Sequence, residues 1–180
     1  MTAEEYLAMD RAAEVKHEFW DGIAYAMAGA SLAHNRLVRN LLVALTQALA
    51  GSECEALPSD QRVRVPGQQR YLYPDVTVVC GPPELEDGRA DTLLNPRIII
   101  EVLSDSTEAF DRGQKFEAYQ AIPSVTEYIV VAQDRMRVDQ FIRGANATSW
   151  LLRPHAHGSV EIATLGIQLP LASIYAGVLA

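Results

Sequence analysis

The sequence predicts a mixed α/β (α+β) fold, with a central mixed β-sheet flanked by helices and preceded by an N-terminal helix and a β-hairpin. Its 180 residues are enough for one domain with a real core, so residues 1–180 are predicted to form a single domain. Runs of β-branched residues at 73–79, 97–103 and 126–132 indicate buried strands. Upstream of them, residues 31–50 carry leucines at helical spacing, which indicates one long amphipathic helix.

The start of the chain predicts a short helix followed by a hairpin. Thr2 and Glu5 have the spacing of a capping box, so a helix is expected to run from there to about residue 10. The pair Asp21-Gly22 then separates two alternating segments, which is typical of a tight hairpin turn. Glu18 lies on the first of these strands, where the alternation by itself favours a solvent-facing side chain.

The long helix is expected to begin at Ser31, which can cap it, and to end near Gly51, which can stop it. Its apolar stripe includes Leu37 and Leu41 and predicts packing against the sheet. His34 lies in the first turn. A histidine at a helix end is more often a structural hydrogen-bonding group than a catalyst.

A further helix is predicted from the N-cap residues 104–107, where Asp105 and Glu108 fit a capping box, to about residue 121. It places Asp111 and Lys115 four positions apart, on one face of the helix. Taken alone, this spacing indicates a surface ion pair worth roughly 0.2–0.5 kcal/mol.

Two acidic residues occur inside otherwise apolar, strand-like runs. Asp75 shares a strand face with Thr77, and Glu101 shares one with Leu103, because side chains alternate along a strand. A buried carboxylate is costly unless it meets a cation, a metal or a hydrogen-bond donor. If the two strands are neighbours, the two acids can converge at one end of the sheet. Oxygen-only ligands suit Mg²⁺ or Mn²⁺.

Composition narrows the class of protein. The chain is 49% hydrophobic, has a mean hydropathy of +0.01 and carries a net charge of −8. These values predict a soluble globular protein without a broad basic coat for nucleic acid, and leave room for a local basic cleft. No apolar run reaches membrane-spanning length, and the acidic start does not resemble a signal peptide. A cytoplasmic protein is therefore expected, with Cys54 and Cys80 reduced.

Several segments spread over nearly the whole chain form an ordered set: 16–22 (KHEFWDG), 29–34 (GASLAH), 73–76 (YPDV), 100–104 (IEVLS), 111–115 (DRGQK) and 127–130 (EYIV). This set resembles the Uma-type family of restriction-endonuclease-like proteins, within the PD-(D/E)XK nuclease superfamily. The Pro-Asp and Glu positions alone are weak signals, whereas the ordered set is fairly specific. The resemblance implies a restriction-endonuclease-like fold and hydrolysis of DNA phosphodiester bonds.

The resemblance also implies roles for individual acids. Asp75, Glu101 and the backbone carbonyl of Val102 are expected to hold Mg²⁺ or Mn²⁺. Glu18 matches an acid of the family's first hairpin and is a further candidate catalytic residue and metal ligand. His34 would sit nearby as a supporting group.

The catalytic lysine is where the sequence departs from the superfamily pattern. Two residues after Glu101 the superfamily has lysine, and this chain has Leu103, which cannot serve. In Uma-type proteins a lysine of the following helix takes this place, and Lys115 is its match, with Asp111 setting its direction. Duplex cleavage requires two active sites, so a homodimer acting on DNA is expected, with no membrane partner.

Two other functions compete with the metal-dependent endonuclease. Leu103 and the acidic net charge favour a catalytically inactive relative that uses the fold to bind nucleic acid or protein. A metal-free hydrolase using Ser104 or Ser106 with a histidine is less favoured, because no nucleophile-elbow sequence occurs. Phosphate-cradling glycine loops are also absent from the sequence.

Overall fold

The computed structural model describes residues 1–104 and 107–179. Its α-helices are α1 (Ala3–Ala12), α2 (Leu32–Ala48), α3 (Glu108–Phe110), α4 (Phe116–Gln120) and α5 (Leu171–Ile174), with a 3₁₀ turn at Glu86–Gly88 and a π-helical turn at Asp111–Lys115. Its strands are β1 (His17–Trp20), β2 (Ile23–Ala26), β3 (Cys54–Pro58), β4 (Arg62–Val65), β5 (Arg70–Leu72), β6 (Val76–Cys80), β7 (Thr92–Leu93), β8 (Ile98–Val102), β9 (Glu127–Val131), β10 (Val138–Arg143), β11 (Trp150–His155), β12 (Ser159–Ile162) and β13 (Ile167–Pro170).

The strands form a central six-stranded sheet, a second five-stranded sheet and a small two-stranded ribbon. The central sheet has the order β11-β10-β9-β8-β6-β3, and its β8 and β9 run parallel within an otherwise antiparallel arrangement. The second sheet has the order β2-β1-β5-β4-β7, so the predicted hairpin is its edge. The predicted mixed α/β architecture is confirmed, with the hairpin enlarged into a sheet of its own.

The N-terminal helix and the hairpin form as predicted. The Thr2 hydroxyl accepts from the Glu5 N–H at 3.1 Å and the Glu5 carboxylate accepts from the Thr2 N–H at 2.7 Å, which completes the capping box of α1. Asp21 and Gly22 both have positive φ, at 47° and 99°, as a two-residue hairpin turn of the primed type requires.

Helix α2 covers one face of the central sheet. The Ser31 hydroxyl accepts from the N–H of His34 at 3.0 Å and so caps the helix, as predicted. Leu37, Leu41 and Leu45 are buried against the sheet. This packing and the Ser31 cap hold the first turn of the helix, and therefore His34, in place relative to the strands.

The other face of the central sheet packs against α4 and the second sheet. Along β8, Ile98 and Ile100 join the core beneath α2, whereas Ile99 and the following Leu103 join the opposite core. Glu101 therefore points to the side of α4 and the second sheet, as the strand alternation predicts.

The helix expected over residues 104–121 is continuous in the prediction and interrupted in the structure. Five residues, Asp111–Lys115, form a π-helical turn between α3 and α4. Within this turn the carbonyl of Asp111 accepts from the Tyr128 hydroxyl at 2.8 Å, a tertiary contact that local helix signals do not encode. The predicted caps at Asp105 and Ser106 lie outside the described residues.

Asp75 also differs from its predicted place. It lies in the bend just before β6 and not within the strand. The reason is that residues 73–75 carry the chain from β5 in the second sheet to β6 in the central sheet. Pro74, which lacks an N–H, is unsuited to a sheet interior and lies in this connection.

The expectation that both cysteines are reduced is wrong. Cys54 and Cys80 face each other across β3 and β6, and their sulfurs form a disulfide. The pairing depends on the register of two strands that are 26 residues apart, which cysteine spacing does not reveal. No helix in the described part of the chain is both long and apolar enough to cross a bilayer.

We expect the Cys54–Cys80 bond to stabilise the folded chain by about 2–4 kcal/mol, because the cross-link lowers the conformational entropy of the unfolded chain. A thiol reductant should therefore lower the melting temperature of the wild-type protein. The double variant Cys54→Ser with Cys80→Ser is the control and should not respond to reductant. Two titratable thiols in the denatured protein, purified without reductant, would contradict the bond.

Candidate active site

The two strand-associated acids meet at one end of the central sheet. Asp75 precedes β6 and Glu101 lies near the end of the neighbouring β8, with Val76 opposite Ile100 in the antiparallel register. The backbone N–H of Asp75 lies 3.4 Å from Oε2 of Glu101. The backbone N–H of Val102 donates to Oδ2 of Asp75 at 2.7 Å. The structure therefore brings together the pair that the sequence analysis singled out.

Lys115 reaches this pair from the π-helical turn. Its ammonium lies 2.9 Å from Oε1 of Glu18, 3.2 Å from Oε1 of Glu101 and 3.6 Å from Oδ1 of Asp111. The lysine is only 7% exposed, and Asp111 is buried as well. The surface ion pair expected from the spacing of Asp111 and Lys115 alone is thus replaced by a buried cluster.

Glu18 comes to the site from the second sheet, on β1. Its Oε1 also accepts from the backbone N–H of Tyr73 at 3.2 Å, in the connection that leads to Asp75. The solvent-facing position that simple alternation favoured is therefore wrong, because a second layer packs over this face. The site lies on the seam between the two sheets, and each sheet supplies an acid.

His34 approaches from the first turn of α2. Its Nε2 lies 3.1 Å from Oδ2 of Asp75, the oxygen that also accepts from Val102. Its Nδ1 is buried and has no hydrogen-bond partner in the described residues. The Ser31 cap and the leucine stripe of α2 hold the histidine beside Asp75, and its supporting role stays a prediction.

Tyr119 touches Glu101 directly, although the sequence did not single it out. The hydroxyl of Tyr119 donates to Oε1 of Glu101 at 2.9 Å, and Tyr119 is completely buried. Its position, four residues after Lys115, is the signal that could have identified it, because such residues lie on the same face of a helix.

Gln133 is a second residue that the sequence did not single out. Its side-chain nitrogen donates to the carbonyl of Leu103 at 2.6 Å, and its side-chain oxygen accepts from the Ser31 hydroxyl. It therefore links the end of β8 to the start of α2. Leu103 itself has no amine to replace that of a catalytic lysine, and it is buried in the apolar core.

The electrostatics of the site are set by several carboxyl groups that share one ammonium. Burial, reinforced by the charges of Asp75, Asp111 and Glu18, raises the pKa of Glu101 well above its ordinary value, although Lys115 opposes this. Burial alone would lower the pKa of Lys115, but the surrounding carboxylates outweigh it and the pKa is raised, so the ammonium stays charged. Burial likewise raises the pKa of Asp111.

The donor set suits a hard divalent cation. Glu18, Asp75 and Glu101 supply carboxylate oxygens, and in each the contacts above engage chiefly one oxygen. Residues 1–104 and 107–179 contain no ready-made metal cluster of three or more His, Cys, Asp or Glu. Lys115 instead contacts Glu18 and Glu101, so a cation would join or partly replace this ammonium.

A solved structure shares this architecture. A protein from Anabaena variabilis, described as "a putative nuclease belonging to DUF820", aligns with a TM-score of 0.80 over 99% of both chains, at 15% sequence identity. Identity this low establishes the fold and not the chemistry. The chain described here, with its mixed central sheet flanked by helices, is therefore of the restriction-endonuclease-like fold class.

The family follows from the sequence comparisons. The sequence model of the Uma2 family, described as "Putative restriction endonuclease", matches residues 3–172, and the chain belongs to this family. Two relatives from Synechocystis sp. are the uncharacterised proteins slr1290, at 32% identity over 98% of this chain and 92% of the relative, and sll1609, at 38% identity over 90% and 91%.

The raised pKa of Glu101 predicts how the stability of the metal-free protein depends on pH. Below the ordinary carboxyl range Glu101 is protonated in both the folded and the unfolded state, and its burial then costs least. As pH rises from the unfolded pKa towards the raised folded pKa, the unfolded chain loses the proton first, and stability declines.

Urea unfolding at a series of pH values would measure this decline. The decline should be smaller in Glu101→Gln than in the wild type. Glu161→Gln, which changes an exposed glutamate, is the control and should follow the wild type. An unchanged pH dependence in Glu101→Gln would show that this carboxyl group does not carry the effect.

Proposed function

We propose that the protein is a metal-dependent endonuclease that hydrolyses phosphodiester bonds of DNA. One observation carries the proposal: Glu18, Glu101 and Asp111 contact the single ammonium of Lys115 at the end of the sheet, and a fourth acid, Asp75, lies beside Glu101. Four neighbouring carboxyl groups with one ammonium can accept a further cation as they ionise, and a lysine beside them is suited to a phosphate. Membership of the Uma2 family supports the same chemistry.

The cation in this proposal is Mg²⁺ or Mn²⁺, held by Asp75, Glu101 and the carbonyl of Val102, with Glu18 as a further ligand. Carboxylate and carbonyl oxygens are the donors that both ions prefer. When bound, such an ion supplies Lewis-acid polarisation of the phosphodiester and acidification of a water molecule.

The protein's own side chains have the remaining roles in the reaction. The ammonium of Lys115, kept charged by its acidic neighbours, would orient the attacking water or stabilise negative charge that develops on the phosphate. Asp111, four residues before it, directs the lysine side chain towards the acids. His34 holds one oxygen of Asp75 through its Nε2.

A second candidate function is an inactive nuclease-fold domain that binds nucleic acid or protein. Leu103 at the usual lysine position and the net charge of −8 favour it. The contact between Lys115 and Glu101 favours catalysis instead, because Lys115 brings an amine from the π-helical turn to the place where the superfamily has its lysine.

We propose that the protein acts as a homodimer, because cutting both strands of a duplex requires two sites. Residues 1–180 would form one domain in each protomer. Sedimentation of the free protein and of its complex with a duplex would measure this stoichiometry.

We also propose that the protein works in the cytoplasm, where it would meet DNA. The Cys54–Cys80 bond runs against this location, because disulfides are rare in reducing compartments. Cell fractionation, with alkylation of free thiols before lysis, would measure both the location and the state of the cysteines.

Loss of the proposed catalytic groups should abolish cleavage. We expect Asp75→Asn and Lys115→Met each to reduce Mg²⁺- or Mn²⁺-dependent DNA cleavage by about 100-fold or more, since each removes a charge used in the reaction. A nicking assay on supercoiled plasmid measures the rate. Lys16→Met is the matched control: it removes the other lysine of the chain, whose ammonium contacts Ser59 and Asp60, and should retain activity. Full activity in Asp75→Asn or Lys115→Met would refute the assigned roles.

Metal binding separates the two candidate functions. Because the cation binds only the folded site, Mn²⁺ at about 100 times its Kd should add about 2.7 kcal/mol to the free energy of unfolding and raise the melting temperature. The double variant Asp75→Asn with Glu101→Gln should lose this shift. A wild-type protein whose melting temperature does not respond to millimolar Mn²⁺ would favour the inactive domain.

A further inference from the structure

Two hydrogen-bond donors converge on a single oxygen of Glu101. The ammonium of Lys115 lies 3.2 Å from Oε1, and the hydroxyl of Tyr119 lies 2.9 Å from the same atom. The other oxygen, Oε2, is the one that lies beside Asp75, 3.4 Å from its backbone nitrogen. The two donors therefore set the rotation of a carboxylate that is only 3% exposed.

The two donors are not equivalent. The ammonium of Lys115 contacts Glu18, Glu101 and Asp111. The proposed chemistry also requires this ammonium to act on water or phosphate. Tyr119 is fully buried, packs on the ring of Tyr128 at 5.5 Å between centroids, and directs its hydroxyl to Glu101. A phenol hydroxyl carries a proton and can donate it to a carboxylate oxygen.

Without the tyrosine hydroxyl, the ammonium would be the remaining side-chain donor to Oε1 in the described residues. A buried carboxylate oxygen that loses its donors is costly, so Lys115 would be tied to Glu101, or the carboxylate would rotate. Either outcome disturbs the site, because the first immobilises the amine and the second turns Oε2 away from Asp75.

We infer that Tyr119 is a positioning residue of this site: its hydroxyl holds Oε1 of Glu101, keeps Oε2 beside Asp75 for the cation, and leaves Lys115 free to act on the scissile phosphate. The inference rests on the proposed function and extends it to a residue outside the acid and lysine motif. Groups that orient a metal ligand through a hydrogen bond commonly affect metal affinity and turnover by 10–100-fold.

The test compares two tyrosines with the same chemistry in different places. Tyr119→Phe removes the hydroxyl on Glu101 and keeps the ring. Tyr71→Phe is the matched control, because Tyr71 is also buried and its hydroxyl lies 3.1 Å from Oε1 of Glu86, which does not belong to the site. Both variants lose one buried hydroxyl next to a glutamate.

We expect Tyr119→Phe to weaken Mn²⁺ binding by about tenfold in an electron paramagnetic resonance titration. Its kcat for DNA cleavage at saturating Mn²⁺ should fall by about 10–100-fold, with the KM for DNA within about twofold of the wild-type value. Tyr71→Phe should match the wild type in all three quantities. A folded Tyr119→Phe protein that binds Mn²⁺ and turns over like the wild type would overturn the inference.

A metal-free measurement separates this inference from the proposed function. Tyr119→Phe should lower the melting temperature of the wild type but not that of Glu101→Leu, in which the hydroxyl has lost its acceptor. Tyr71→Phe should lower it equally in both backgrounds. Additive effects of Tyr119→Phe and Glu101→Leu would overturn the positioning role. If the wild type binds no Mn²⁺ and cuts no DNA, the proposed function fails, and this cycle alone decides the role of Tyr119.

Discussion

A buried ammonium group among carboxylates is the interaction on which the site depends. Lys115 lies within 3.6 Å of Glu18, Glu101 and Asp111, and each of these acids would be far more costly to bury without it. The lysine in turn is charged because the acids surround it. One ammonium serves three acids directly, and Asp75 lies beside one of them, which is the arrangement from which we propose a further cation.

The same interaction joins the two sheets. Glu18 belongs to the second sheet and Glu101 to the central one, and both contact the same ammonium. The connection through residues 73–75 crosses between the sheets at this point, and its Tyr73 N–H binds Glu18. The geometry of the site therefore depends on how the two sheets pack, and a change at their interface would move Glu18 relative to Glu101.

The position of the amine explains how the site accommodates Leu103. On a strand, a lysine two residues after Glu101 would share its face. Here that position contributes to the apolar core, and the amine arrives from the π-helical turn above the sheet. The widened turn and the hydroxyl of Tyr128 on the Asp111 carbonyl fix the direction from which Lys115 approaches. π-Helical turns are frequent at functional sites for this kind of reason.

Local signals determined much of this protein by themselves. The capping box of Thr2, the Asp21-Gly22 turn and the Ser31 cap depend on neighbours within a few residues, so the sequence specifies them directly. The alternation along β8 likewise set the face of Glu101. The tertiary structure alone decided that Glu18 is covered, that Asp75 sits in a crossing between sheets, that Cys54 meets Cys80, and that Tyr119 reaches Glu101. These contacts join segments whose meeting depends on sheet order, register and layer packing, which no local pattern records.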